Sequence, residues 1–278
     1  MNNDKTLYVS DLDGTLLNPS AELSVYTKQA LGKLIAGGLH FTAATARTAA
    51  SALKILDGLT LNIPVILMNG VLIYDIGQKQ YLQLHKLAPE AVQAVIGVIR
   101  SLDMTGFMYQ LKDDALTTYY ESLDKEPLRA FVEERVTRYY KTFGQVGQFS
   151  DIDPNHIIYF TLLDQQERIR SVYDAFHTLS GLNLTMYKDT YSPDLWYLEV
   201  FHADASKQNA VTYLRERYGF TRVVGFGDNL NDLPLFAACD VRVAVENARA
   251  EVRAAADYVC GASDADGVVK WIEAFGKT

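Results

Sequence analysis

The sequence predicts an α/β protein: a doubly wound parallel-sheet core interrupted by an inserted α+β unit. Three observations carry this. Short apolar strands alternate with helix-period segments in the first and last thirds of the chain. Polar clusters stand where those strands end, the place where open α/β sheets bind ligands. The middle third runs hairpins and helices together with no such cluster.

Taken in order, strand 6–10 leads. A helix over 24–36 follows, with Ser24 as N-cap, Leu31, Leu34 and Ile35 as its buried stripe and Gly37-Gly38 as its stop. Strand 40–44, helix 49–56 and the short apolar strand 64–67 complete a right-handed parallel series. After Asn69-Gly70 the style changes to a hairpin, 71–74 with 80–84. A helix then carries Val92, Val95, Ile96 and Ile99 on one face. Strands near 105–110 and 115–120, a helix near 126–140, strand 157–163, a helix marked by Ile169, Val172, Tyr173 and Phe176, and strand 182–188 follow. Doubly wound alternation returns with strand 196–200, the Ser206-capped helix 206–218, strand 222–226, helix 231–238, strands 241–245 and 257–259, and a last helix over 266–275. The expected domains are residues 1–83 plus 191–278, a Rossmann-like core, and 84–190, an α+β cap.

Composition bounds the function. A chain of 278 residues with 49% hydrophobic and 22% charged residues suits a globular protein with a full core. Its net charge of −8 argues against nucleic acid or an anionic membrane as partner. No apolar run approaches the roughly 20 residues of a membrane span. Met1–Lys5 leads straight into a strand, so no signal peptide is expected, and Cys239 and Cys260 are expected reduced, in a cytoplasmic protein. The histidines show no ligand spacing.

Four clusters carry chemistry. Asp11-Leu12-Asp13-Gly14-Thr15-Leu16 follows the first strand, and Gly14 lets the backbone turn sharply. Two carboxylates crowded at a strand end are costly unless a cation joins them, which points to Mg²⁺. The bland reading is a polar strand exit with Asp13 in an Asx turn. Thr45 ends the second strand; its hydroxyl suits a phosphoryl oxygen, or else caps a helix. Lys207 opens a helix, against the macrodipole, and suits neutralisation of a bound phosphate; otherwise it is a solvated lysine. In Gly227-Asp228-Asn229-Leu230-Asn231-Asp232 the two aspartates, four apart, share a face if a helix starts there.

In order and spacing these pieces resemble the haloacid dehalogenase superfamily of phosphohydrolases. Leu67-Met68-Asn69-Gly70-Val71 and Leu198-Glu199-Val200, with the insert between the second and third motifs, resemble its Cof-like (type IIB) sugar-phosphatase branch. Two positions depart from the family, Ala46 and Gln208, where it usually has glycine. The resemblance implies a Mg²⁺-dependent phosphatase acting on a small phosphorylated metabolite through an aspartyl-phosphate. It makes Asp11 the nucleophile and Asp13 the acid and base. It gives Mg²⁺ to the Asp11 carboxylate, the Asp13 main-chain carbonyl and Asp228, and the phosphoryl oxygens to Thr45 and Lys207. Asn231 and Asp232 orient Lys207 and the metal shell, Arg47, Asn69 and Gly70 touch substrate, and the insert acts as a lid. A phosphomutase with the same intermediate, or a phospho-aspartate sensor, stays open as an alternative.

Overall fold

The computed structural model describes residues 5–189, 192 and 194–276. Its elements follow from local pattern. Apolar and β-branched runs form β1 (Thr6–Ser10) and β2 (His40–Ala43), with α1 (Val25–Ala36) between them. Ser24 caps α1 as expected, its hydroxyl accepting from the Thr27 N–H at 2.9 Å. α2 (Ala49–Ile55) leads to β3 (Val65–Leu67), β4 (Leu72–Asp75) and β5 (Gln80–Leu84). Then come α3 (Pro89–Ser101), β6 (Gly106–Lys112), β7 (Ala115–Tyr120), α4 (Glu126–Tyr139) and β8 (Phe143–Gln145). They are followed by β9 (Ile157–Asp164), α5 (Gln166–Phe176), β10 (Leu182–Lys188) and β11 (Trp196–His202). The chain closes with α6 (Lys207–Tyr218), β12 (Arg222–Gly227), α7 (Leu233–Ala237), β13 (Val241–Val245), α8 (Ala250–Ala255), β14 (Tyr258–Cys260) and α9 (Gly267–Phe275).

Contacts divide the chain into two units, Met1–Gln83 with Ser206–Thr278, and Leu84–Ala205. The first holds a parallel sheet in the order β14-β13-β12-β1-β2, with β1 paired to both β2 and β12. β3 runs beside β2 through a parallel bridge, Ala44 to Ile66, and pairs antiparallel with β4. Strand β1 is buried on both faces, as a central parallel strand must be. Its central place sets the C-terminal end of β1 between the ends of β2 and β12, so the Asp11 loop, Thr45 and Asp228 emerge side by side.

The second unit is a six-stranded sheet, β10-β11-β9-β6-β7-β8. α3 and α5 cover one face, burying Val92, Val95, Ile96, Ile99, Ile169, Val172 and Phe176 against Met108, Phe160, Leu162, Leu198 and Val200. α4 covers part of the other, with Phe131 stacked on Phe107 at 4.4 Å.

One expectation is corrected. The sequence pattern places strand 196–200 in the parallel core, but β11 pairs antiparallel with β9 and β10 in the second sheet. A nearly continuous apolar and aromatic run makes a strand of 196–202; only distant hydrogen-bond partners decide which sheet it joins. The chain therefore re-enters the first unit at Ser206, not at 191. The expected boundary itself, 190/191, lies outside the described residues, as do residues 1–4 ahead of the first strand. β8, parallel to β7, has no counterpart in the expected elements. No helix of the described residues is long and apolar enough to cross a membrane.

Candidate active site

Asp11 continues the β1 ladder, its N–H donating to Phe226 O at 3.0 Å. The chain then turns through Gly14, at φ +76°, a conformation that favours glycine. Glycine is required for a second reason: a Cβ there would lie 2.5 Å from Asp228 Oδ2. The turn thus brings the loop after β1 into contact with the acidic end of β12. The Thr15 hydroxyl donates to Asp228 Oδ1 at 2.7 Å and fixes that carboxylate.

Lys207 is the first residue of α6 and is only 1% exposed. Its ammonium donates to Asp11 Oδ1 at 2.6 Å and to Asp232 Oδ1 at 2.7 Å. The solvated-lysine reading is therefore set aside: this cation is buried between two carboxylates. Burial alone would lower the Lys207 ammonium; Asp11 and Asp232 outweigh it and hold the pKa above its ordinary value.

Carboxylate oxygens of Asp11, Asp228 and Asp232 lie within 4.8 Å of one another, all buried. Burial, reinforced by Asp232, pushes the Asp11 carboxyl up to about 7 against the pull of Lys207. Asp228 is raised well above the ordinary range by burial, then by Asp232 and Asp11. One lysine cannot neutralise this cluster. Hard oxygen donors with excess negative charge fit a divalent cation such as Mg²⁺.

Asp232 does more than the sequence implied. A single turn over Leu230–Asp232 folds its carboxylate back, so that Oδ2 accepts the N–H groups of Asp228 at 2.9 Å and Asn229 at 3.1 Å. It caps its own loop and binds Lys207 with the other oxygen. Asn231 is half-buried, and its side chain is not among the partners of Lys207.

The Asp13 carboxylate stands apart from the cluster. It takes a bidentate pair from Arg47, Nε to Oδ2 at 2.7 Å and Nη2 to Oδ1 at 2.6 Å. Such fork-to-fork pairs fix both planes. Thr45 is buried at the end of β2, and its hydroxyl accepts from the Arg47 N–H at 3.1 Å; the N-cap position of α2 belongs to Thr48. Ala46 is half-buried between them, and Gln208 is exposed on α6.

Asn69 and Gly70 bind these segments together. The Asn69 N–H donates to Thr45 O at 3.0 Å and the Met68 N–H to Arg47 O at 3.1 Å. Gly70, at φ +95°, lies so close to the start of α6 that a Cβ would come within 2.1 Å of Ser206 O. The turn is a spacer between the Thr45 loop and Lys207. Sequence reading gave no separate role to Thr15, and missed Asn247, whose Nδ2 donates to Gly14 O at 2.7 Å. Its one signal was position, a polar residue just past the C-terminal end of a core strand.

A profile of haloacid dehalogenase-like hydrolases matches residues 8–272. The chain belongs to this family. Two curated relatives of this haloacid dehalogenase-like hydrolase span nearly its whole length. The 5-amino-6-(5-phospho-D-ribitylamino)uracil phosphatase YwtE of Bacillus subtilis is 25% identical over 277 residues, 95% of each chain. The pyridoxal phosphate phosphatase YbhA of Escherichia coli is 25% identical over 267 residues, 94% of this chain and 95% of that one. The solved sugar phosphatase BT4131, of HAD subclass IIB, shares the fold with a TM-score of 0.79 at 21% identity, over 98% of this chain and 99% of that one. Within the family the chain is a phosphatase of the Cof-like type.

Proposed function

We propose that this hydrolase is a Mg²⁺-dependent phosphatase that cleaves a small phosphorylated metabolite, a sugar phosphate or phosphorylated cofactor, through an aspartyl-phosphate on Asp11. The observation that carries the reading is the Asp11 carboxylate itself. It is buried at a strand end, held by Lys207 and flanked by two further carboxylates.

Asp11, Asp228 and the Asp13 main-chain carbonyl would hold Mg²⁺, with Asp232 beside them. When bound, the cation supplies positive charge to the phosphoryl oxygens and to the crowded carboxylates. Asp11 attacks phosphorus, the P–O bond to the leaving alcohol breaks, and Asp13 gives that oxygen its proton. Asp13 then takes a proton from water, which attacks phosphorus and releases phosphate and free Asp11. Lys207 and the Thr45 hydroxyl bind the phosphoryl oxygens as charge redistributes. Arg47 holds the Asp13 carboxylate in one orientation until substrate arrives. Selection of the leaving group is the role the family resemblance gives the inserted unit.

The test is phosphate release from hexose phosphates, pyridoxal phosphate and 5-amino-6-(5-phospho-D-ribitylamino)uracil, with Mg²⁺ and with EDTA. Release with Mg²⁺ and none with EDTA is expected; chelator-insensitive release would remove the metal. Isomerised sugar phosphate without free phosphate would mean a mutase. Asp13→Asn should slow both half-reactions by about 10²–10⁴-fold, read by pre-steady-state phosphate release. Unaltered rates would take the acid and base role from Asp13.

The raised carboxyls add a pH prediction. In metal-free protein the folded state keeps protons on Asp11, at about 7, that the unfolded chain gives up near 4. Stability without metal therefore falls as pH rises from about 4 to about 7. Bound Mg²⁺ replaces those protons. At about 100 times its Kd it adds about 2.7 kcal/mol, a Tm rise of about 5–10 °C, at pH 8, and less at pH 5. An equal rise at both pH values would count against this cluster as the metal site.

A further inference from the structure

The loop 246–249, after β13, reaches both acidic arms of the site without offering a reacting group. The Arg249 N–H donates to Asp228 O at 2.9 Å. Two residues earlier, Asn247 Nδ2 donates to Gly14 O at 2.7 Å, while its Oδ1 accepts the Ser263 N–H at 2.8 Å. In the sheet β12 lies between β13 and β1, so this loop bridges past the end of β12 to reach the loop after β1.

Gly14 is buried, and a buried carbonyl needs a donor. It sits between Asp13 and Thr15, with its Cα against the Asp228 carboxylate. Any rotation of the peptide after Gly14 moves Thr15, whose hydroxyl holds Asp228 Oδ1. The Asn247 amide is planar and anchored at both ends, so it fixes where the Gly14 carbonyl points. At this reach the site needs one donor and one acceptor on the same group. Asparagine supplies both; aspartate supplies only the acceptor.

We propose that Asn247 is a positioning residue for phosphoryl transfer. By holding the Gly14 carbonyl it sets the spacing between the Asp11–Asp13 loop and Asp228. The proposal rests on the phosphatase reading above.

The Asn247 side chain is on the exposed side of the loop, so its replacement leaves no buried void. Asn247→Asp keeps the acceptor for Ser263 and loses the donor to Gly14; Asn247→Ala loses both without adding charge. Each is assayed for kcat, KM and Tm with the best substrate of the panel in saturating Mg²⁺. Both are expected to lose about 10–100-fold in kcat with KM and Tm near wild type, as for groups that orient metal ligands. Full kcat in either variant overturns the assignment. Loss in Asn247→Ala alone would trace to the Ser263 bond; loss in Asn247→Asp alone would be an effect of added charge. Wild-type protein without Mg²⁺-dependent release would instead remove the phosphatase reading.

Discussion

Asp11→Asn is expected to cut phosphate release by at least about 10⁴-fold while the protein stays folded. The amide is nearly isosteric, and its oxygen still accepts from Lys207, but it is no anion and cannot form the acyl phosphate. The site adds a second expectation. Asp11, Asp228 and Asp232 crowd within 4.8 Å, with Lys207 the cation bonded to two of them. Removing one negative charge relieves repulsion when no metal is present. In EDTA at pH 8, where the Asp11 carboxyl has lost its proton, the Tm of the variant should therefore match or exceed that of the wild type, while turnover is lost. Release above about 1% of wild type would reassign the nucleophile, since loss of a nucleophile normally costs far more than that.

Lys207→Met should cost both stability and activity, with the largest loss of stability of any of these variants. The ammonium is buried, 2.6 Å from Asp11 and 2.7 Å from Asp232. Methionine fills much of the stem's volume, so the loss is mainly charge. Breaking a buried pair leaves uncompensated carboxylates and costs about 3–5 kcal/mol. For a chain of this size that lowers Tm by on the order of 10 °C in EDTA. Mg²⁺ should restore part of it, because it neutralises the same carboxylates. Turnover should fall about 10²–10³-fold through loss of charge on the phosphoryl oxygens. Urea unfolding of the variant with EDTA and with Mg²⁺ is the measurement. A variant as stable as wild type in EDTA would show that the pair adds nothing. Arginine is no conservative replacement, since its planar fork cannot occupy the point between the two carboxylates.

Some of this was legible because the cause is local. The Ser24 cap, the helical stripe of Val92, Val95, Ile96 and Ile99, and the turn at Gly14 depend on neighbours in sequence. Lys207 was legible as an anomaly, a cation at a helix start, although its reason lay elsewhere. Other features had no local cause. The Asp13–Arg47 pair joins side chains 34 residues apart, and the Asn247 bond to Gly14 spans 233. Only the resemblance put Asp232 beside Lys207; its four-residue spacing from Asp228 suggested a shared helix face. The chain instead turns back on itself, and the carboxylate caps its own loop.

The sequence by itself determined the strand-turn-helix units, the acidic motifs at strand ends and membership of the haloacid dehalogenase-like hydrolase family. Each of these is written in short stretches whose geometry the backbone and a few side chains settle alone. Only the tertiary structure decided that 196–202 belongs to the inserted sheet, that Asn69-Gly70 spaces the Thr45 loop from Lys207, and that two of three clustered carboxylates share one buried lysine. The physical reason is common to all three. A strand alternates its faces in any sheet, and a side chain offers the same donors to any partner. Which sheet and which partner are chosen depends on groups brought together from distant parts of the chain.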